Sequence, residues 1–303
     1  MTVPQAVLAV AEADVRTLLQ TLVVGLSIGS AFALVGISFV LIFRTTGIIN
    51  FAQGAFAVMG GLFTVGLVDD LPTWLAATIA VVVVGLIGAV FGFVALGFRG
   101  RTTSLASLII TLGIALLVSS LELLAFGDRP HNYPGISEDA WTVWDVVINP
   151  QYALVAGVTI LAALLLTLLL RKTIVGNALV ACADQVRAAE LVGINVRSVT
   201  MIAFAVSAAL SALGWVLLTP VTSVNYDSDV AIAVNGFAAA AFGGLVSIRL
   251  AYLGGLLLGI AEQLVVVYGD RVTDQARQYE LAAALIVILL LIGWRSRHEV
   301  ESA

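Results

Sequence analysis

The chain has 303 residues, of which 61% are hydrophobic and 11% charged, with a formal net charge of −5. That composition excludes an ordinary soluble domain, and no polar stretch is long enough to fold alone. A single cysteine, Cys182, excludes an internal disulfide or thiolate cluster, and two histidines, His131 and His298, exclude a His-rich metal site.

Nine apolar segments follow in order: Thr17–Phe43, Phe51–Val68, Trp74–Phe98, Leu105–Phe126, Tyr152–Leu170, Val199–Leu218, Ala231–Ile248, Leu250–Tyr268 and Tyr279–Trp294. Several have membrane-spanning length. The expected fold is therefore all-α, a polytopic membrane protein with eight to nine transmembrane helices. It forms one domain, residues 1–303. The first segment is too long for the apolar core of a signal peptide and lacks a basic flank, so it is expected to be retained. The seventh is short and rich in Ala and Gly, which suits a broken or re-entrant helix.

The loops divide unevenly in charge. One set holds ten basic residues, Arg44, Arg99, Arg101, Arg171, Lys172, Arg187, Arg197, Arg249, Arg295 and Arg297; the other holds Arg16, Arg129, Arg271 and Arg277. The first set is expected to be cytoplasmic. The N-terminus is then outside and the C-terminus inside. Asp69, Asp70, Glu138, Asp139, Asp227 and Asp229 fall on the outer side.

Polar residues interrupt several segments. Asn50 and Gln53 flank Phe51–Ala52 where the second segment begins, and Gly54, Gly60 and Gly61 weaken its helix. Irregular backbone at membrane depth is tolerated where protein buries it or where it lines a cavity. Ser107, Thr111 and Gly113 mark the fourth segment, and Asn235 with Gly236 the seventh. Two acids lie within segments. Glu122, near an outer end, is expected to snorkel or stay neutral; Glu262 is deeper and is expected to be a protonated acid bonded to a neighbouring helix, with a polar lining of the path or a proton carrier as the alternatives. Asn50, Gln53, Thr111, Asn235 and Glu262 are the candidate pathway residues, the first four of these around one central cavity. NFAQGAFAVMGG and NGFAAAAFGG are faintly alike and start at opposite faces, as in an inverted repeat.

The outer loop Gly127–Gln151 carries Pro130, Pro134 and Pro150 with Trp141 and Trp144. Residues 138–147 suit a short interfacial helix anchored by the tryptophans.

The loop 171–198 is the longest polar interruption on its face. Asp184 is a fair N-cap, residues 185–192 lack Gly and Pro, and Gly193 is a good stop, so a short helix is expected between them. Ala188 and Ala189 give it a small-residue surface.

Here the chain resembles a family. ACADQVRAAELVGIN looks like the cytoplasmic loop of ATP-binding-cassette importer permeases, whose coupling helix docks into the ATPase. GIINFAQGAFAVMGG, SLIITLGIALL and FAAAAFGGLVSIRLAYLGGLLLGIAE, in that order, are similar to the shorter, H-type permease subunit of branched-chain amino acid (LIV-type) importers. The resemblance implies a subunit in the bacterial plasma membrane that moves branched-chain amino acids or a related small solute inward. It implies an M-type permease partner, two cytoplasmic ATPases, an extracytoplasmic substrate-binding protein and a lipid surround. It assigns ATPase coupling to Asp184, Arg187, Ala188, Ala189, Glu190, Leu191 and Gly193.

The residues themselves supply no engine. The only lysine, Lys172, precedes Thr173, but no glycine-rich turn leads into it, so there is no P-loop. No nucleophile–base pair and no cofactor site is legible, and no enzymatic activity is expected. A self-sufficient secondary transporter or channel is the alternative, disfavoured because no paired intramembrane charges are found.

Overall fold

The computed structural model describes residues 3–95, 104–137, 139–143 and 146–268. The segment Tyr279–Trp294, His298, Glu138, Trp144 and the basic residues Arg99, Arg101, Arg271, Arg277, Arg295 and Arg297 lie outside the described residues, as does the C-terminus.

Among the described residues the apolar segments are predominantly helical. In order come α1 (Val3–Thr46), α2 (Gln53–Leu67), α3 (Thr73–Ala95) and α4 (Ser104–Phe126). A strand pair follows, β1 (Trp141–Val143) and β2 (Val146–Ile148), then α5 (Pro150–Lys172). The polar loop holds α6 (Ile174–Asp184) and α7 (Val186–Leu191). Last come α8 (Val196–Thr222), α9 (Asp229–Phe242) and α10 (Ile248–Tyr268). Six of these, α1, α3, α4, α5, α8 and α10, are long and apolar enough to cross a membrane. This is a polytopic all-α membrane protein.

Two helices are too short to cross alone: α2 has 15 residues and α9 has 14. The second apolar segment is thus a short helix with a non-helical lead, running from the level of Thr111 to Phe126 at the far end of α4, and the seventh is a short helix as its composition suggests. Both begin inside the bundle. Ser119 on α4 donates to Asp229 Oδ2 at 2.6 Å, so α9 starts level with a residue about 10 Å short of the end of α4. Thr111 near the other end of α4 donates to the carbonyl of Ile49 at 3.3 Å, so the chain leading into α2 is also within the bundle. The two short helices pack against each other. Short, inward-starting helices are the arrangement expected of an inverted repeat. The register differs from the motif match, because Asn50 precedes α2 whereas Asn235 lies in mid-α9.

Helix α1 is the axis. Nearly every residue from Ala31 to Ile42 is buried, and α5, α8, α9 and α10 pack around it. Against α10 the contact is backbone on backbone. A Cβ added at Gly29 would lie 2.7 Å from the Gly255 carbonyl and 2.8 Å from Leu256 Cα. Lipid offers no hydrophobic drive for helices to associate, so close approach through small residues replaces it.

The end of α8 shows how a freed carbonyl is answered. Pro220 has no N–H to give the Val216 carbonyl, four residues back. The Tyr133 hydroxyl donates there instead, and Gln151 Nε2 donates to the Leu217 carbonyl at 2.6 Å. Burial pushes the Tyr133 phenol up from its ordinary range. His131 and Val224 add a reciprocal pair of backbone bonds at 2.8 and 2.7 Å. The loop is therefore tied down, and residues 141–143 and 146–148 pair as antiparallel strands rather than a helix. Their β-branched content, Thr142, Val143, Val146, Val147 and Ile148, outweighs the interfacial pattern.

Candidate translocation site and coupling loop

The bend between α1 and α2 gathers polar groups. Asn50 and Gln53 are 1% and 0% exposed. Asn50 Oδ1 accepts from Ala52 N at 3.1 Å, which fixes the turn. Gln53, the first residue of α2, accepts through Oε1 from Ser211 on α8 at 2.7 Å. Thr111 is fully buried and holds the bend through its bond to Ile49.

Three groups at this place have no hydrogen-bond partner: Asn50 Nδ2, Gln53 Nε2 and Ser207 Oγ. Two are amide donors, and Ser207 lies one turn before Ser211 on α8. At the start of α2, Gln53 N donates to the Asn50 carbonyl at 3.4 Å and Phe56 N to the Ala52 carbonyl at 3.0 Å, and this end carries the positive end of the helix dipole. The bend therefore presents amide donors, and the backbone of Asp229, where α9 opens, lies against Gly54 in the first turn of α2. A carboxylate is the group that such a place favours.

A second polar pair lies across the bundle. Asn235 on α9 donates to Glu262 Oε2 on α10 at 3.4 Å, and Asn235 Oδ1 is unmet. Between the pairs stand three rings, Phe39, Phe51 and Phe237, with centroids 5.6 to 5.9 Å apart. The candidate pathway residues thus fall into two polar groups, Asn50, Gln53 and Thr111 in one and Asn235 and Glu262 in the other.

Glu122 does not snorkel, which leaves the neutral acid of the two expectations: it is 3% exposed, and neither carboxyl oxygen has a hydrogen-bond partner. Asp229 is not in an outer loop; it is buried, opens α9, and binds Ser119 and its own helix at Val230 N. Ser207 and Ser211 went unmarked in sequence, though two serines four apart in an apolar run were the available signal.

In the polar loop, Asp184 is no cap. It closes α6, whose start is capped instead by Thr173 accepting from Gly176 N at 2.9 Å. Gln185 precedes α7 without a side-chain cap bond. Gly193, at φ +86°, is the expected stop. Ala189 does not face outward; it packs with Leu179, Cys182, Val199 and Ala203. Burial, helped by nearby Glu190, pushes the Cys182 thiol up from its ordinary range. The loop exposes apolar residues at the start of α6, Ile174 at 88% and Val175 at 40%, and at the end of α7, Leu191 at 89% and Val192 at 77%, with Arg187, Ala188 and Glu190 also exposed. Arg197 anchors the return into α8 by lying 4.0 Å over the Phe93 ring.

Spanning helices around two short, inward-starting helices, with unmet amides at one junction, define a multi-pass membrane transport protein. Residues 21–293 match the family described as "Branched-chain amino acid transport system / permease component". The chain belongs to that family. It is 30% identical to the high-affinity branched-chain amino acid transport system permease protein LivH of Escherichia coli strain K12, covering 93% of this chain and 97% of the relative. It is 31% identical, with the same coverage, to the permease protein BraD of Pseudomonas aeruginosa. Among solved structures it is similar in fold to a chain of PsaBC from Streptococcus pneumoniae in complex with Fab, with TM-score 0.51, 15% identity and 90% of each chain covered.

Proposed function

We propose that this chain is the membrane-spanning permease subunit of an ATP-binding-cassette importer for branched-chain amino acids or a related small carboxylate. The donor cluster of Asn50 and Gln53 at the start of α2 carries this reading. It offers unmet N–H groups in a buried place, which suits a solute bearing a carboxylate and an apolar side chain. Phe39, Phe51 and Phe237 suit the apolar part. The site is a passage rather than a tight receptor: it has few polar groups.

ATP hydrolysis belongs to separate cytoplasmic ATPases, a second M-type permease completes the path, and an extracytoplasmic binding protein delivers the solute. The excess of basic residues on the face bearing α6 and α7 puts that face in the cytoplasm. Cysteine labelling from outside, on a Cys182→Ser background, is expected to modify a cysteine at Ser137 and spare one at Val192. The opposite pattern overturns the orientation.

ATPase closure acts through the loop. Helices α6 and α7 pack on the start of α8, so a push there is delivered to the helix that holds Gln53 through Ser211. Leu191 and Val192 are the contact, with Arg187 and Glu190 at its rim and Gly193 as the stop. A rim charge is worth about 1 kcal/mol or less, whereas an acid in an apolar groove is far costlier. Leu191→Asp is therefore expected to cut co-purification of the ATPase at least fivefold and abolish ATP-driven leucine uptake, with the permease still folded. Ordinary co-purification by this variant refutes the docking role. Leucine uptake without ATPase subunits restores the secondary-transporter alternative.

A further inference from the structure

Where α1 ends, α5 ends and α10 begins, Arg44, Arg171 and Arg249 line one cavity of about 360 Å³. No Asp or Glu is among its lining residues. None of the three arginines has an acidic ion-pair partner among the described residues. They come from distant points in the chain and converge, which a general excess of cytoplasmic charge does not require. The first turn of α10 faces the same cavity through Ser247, Ile248 and Arg249. Ser247 Oγ takes the Leu250 N–H at 3.3 Å, leaving the earlier N–H groups of this 21-residue helix for another acceptor.

A second cavity, about 400 Å³, continues from the first and shares Thr167, Ile248 and Arg249 with it. It runs between α5 and α10 and is walled by Ile160, Leu164 and Leu253, each about half exposed on the outer surface of the bundle. The two cavities make one groove, cationic at its end and apolar along its length.

We infer that this groove binds an anionic phospholipid. Its phosphate lies against Arg44, Arg171, Arg249 and the first turn of α10, and one acyl chain runs along α5 and α10. Arginine forks match phosphate oxygens in number and geometry. A helix start favours the same anion, and basic pockets between transmembrane helices take such head groups. A free phosphate satisfies only the cationic end. A diacyl lipid satisfies the whole groove, and membrane apposition supplies it at high local concentration.

The test uses the transporter purified with its partner subunits in a neutral detergent. Its thermal midpoint is followed during titration with phosphatidylglycerol, phosphatidylcholine or inorganic phosphate. Phosphatidylglycerol is expected to reach half its effect at a concentration at least fivefold below phosphatidylcholine, with inorganic phosphate raising the midpoint little. Arg44→Gln/Arg171→Gln/Arg249→Gln is expected to erase the preference. Thr167→Trp, which plugs the junction of the two cavities, is expected to weaken the phosphatidylglycerol effect alone. If the triple variant does not fold, Arg249→Gln, at an exposed position, is expected to reduce the preference at least twofold. Equal response to both lipids, a preference that survives Arg249→Gln unchanged, or inorganic phosphate matching phosphatidylglycerol each overturns the site. So does disulfide cross-linking of a cysteine at Leu253 to a second permease subunit, which makes the groove a protein interface.

Discussion

Gln53→Leu is expected to lower ATP-driven leucine uptake at least tenfold while leaving a folded, ATPase-bound permease. Leucine matches glutamine in bulk and removes a buried side chain whose Nε2 has no partner. Loss of that unmet group offsets loss of the Ser211 bond, so the cost in stability is small. The cost in passage is not. A hydrogen bond to a charged group contributes about 1.5–3 kcal/mol, and each 1.36 kcal/mol in a barrier is about tenfold in rate. Gln53→Glu sharpens the test. It keeps the length and the acceptor for Ser211 but sets a negative charge where the solute carboxylate passes. It is expected to be at least as slow as Gln53→Leu. Normal uptake by Gln53→Glu refutes the carboxylate role, whatever the leucine variant does.

Gly29→Val is expected to prevent stable assembly altogether. A Cβ there meets the backbone of Gly255 and Leu256 at 2.7 to 2.9 Å, and backbone cannot rotate away as a side chain can. Helices α1 and α10 must separate along their seam, and α1 is the axis on which the rest packs. The loss is about 3 kcal/mol or more, which corresponds to a fall of about 10 °C in thermal midpoint or loss of monodisperse protein. Gly157 on α5 has open space where a Cβ would stand, so Gly157→Val is the matched control and is expected to change little. Equal behaviour of the two variants refutes the seam.

Much of the fold was legible because lipid permits few solutions. Apolar runs such as Trp74–Phe98 and Tyr152–Leu170 give α3 and α5 within a few residues. The amides were legible too, since Asn50 and Gln53 interrupt a segment that has no other use for them. What escaped was set by tertiary contact. Asp229 reads as a loop acid beside Asp227, and only the approach of Ser119 places it inside the bundle. Ala189 and Leu191 are equally plausible outward residues in sequence; the pocket formed by Leu179, Cys182 and Val199 decides that Ala189 turns inward. The strand pair at residues 141–143 and 146–148 was missed because tryptophans at an interface and β-branched pairing predict different backbones.

The short length of α2 has a consequence for the order in which the protein is made. A short helix cannot satisfy its buried backbone ends from lipid; it needs neighbouring chain. Yet the partner of Gln53 is Ser211, 158 residues later. At about 5–20 residues per second of synthesis, roughly ten to thirty seconds separate the two. During that interval α2 can pack against α1, α3 and α4, but Gln53 has no Ser211 to bond. The permease is thus completed out of sequence: its second apolar segment is among the first synthesised, and its packing is finished only when α8 and α9 arrive.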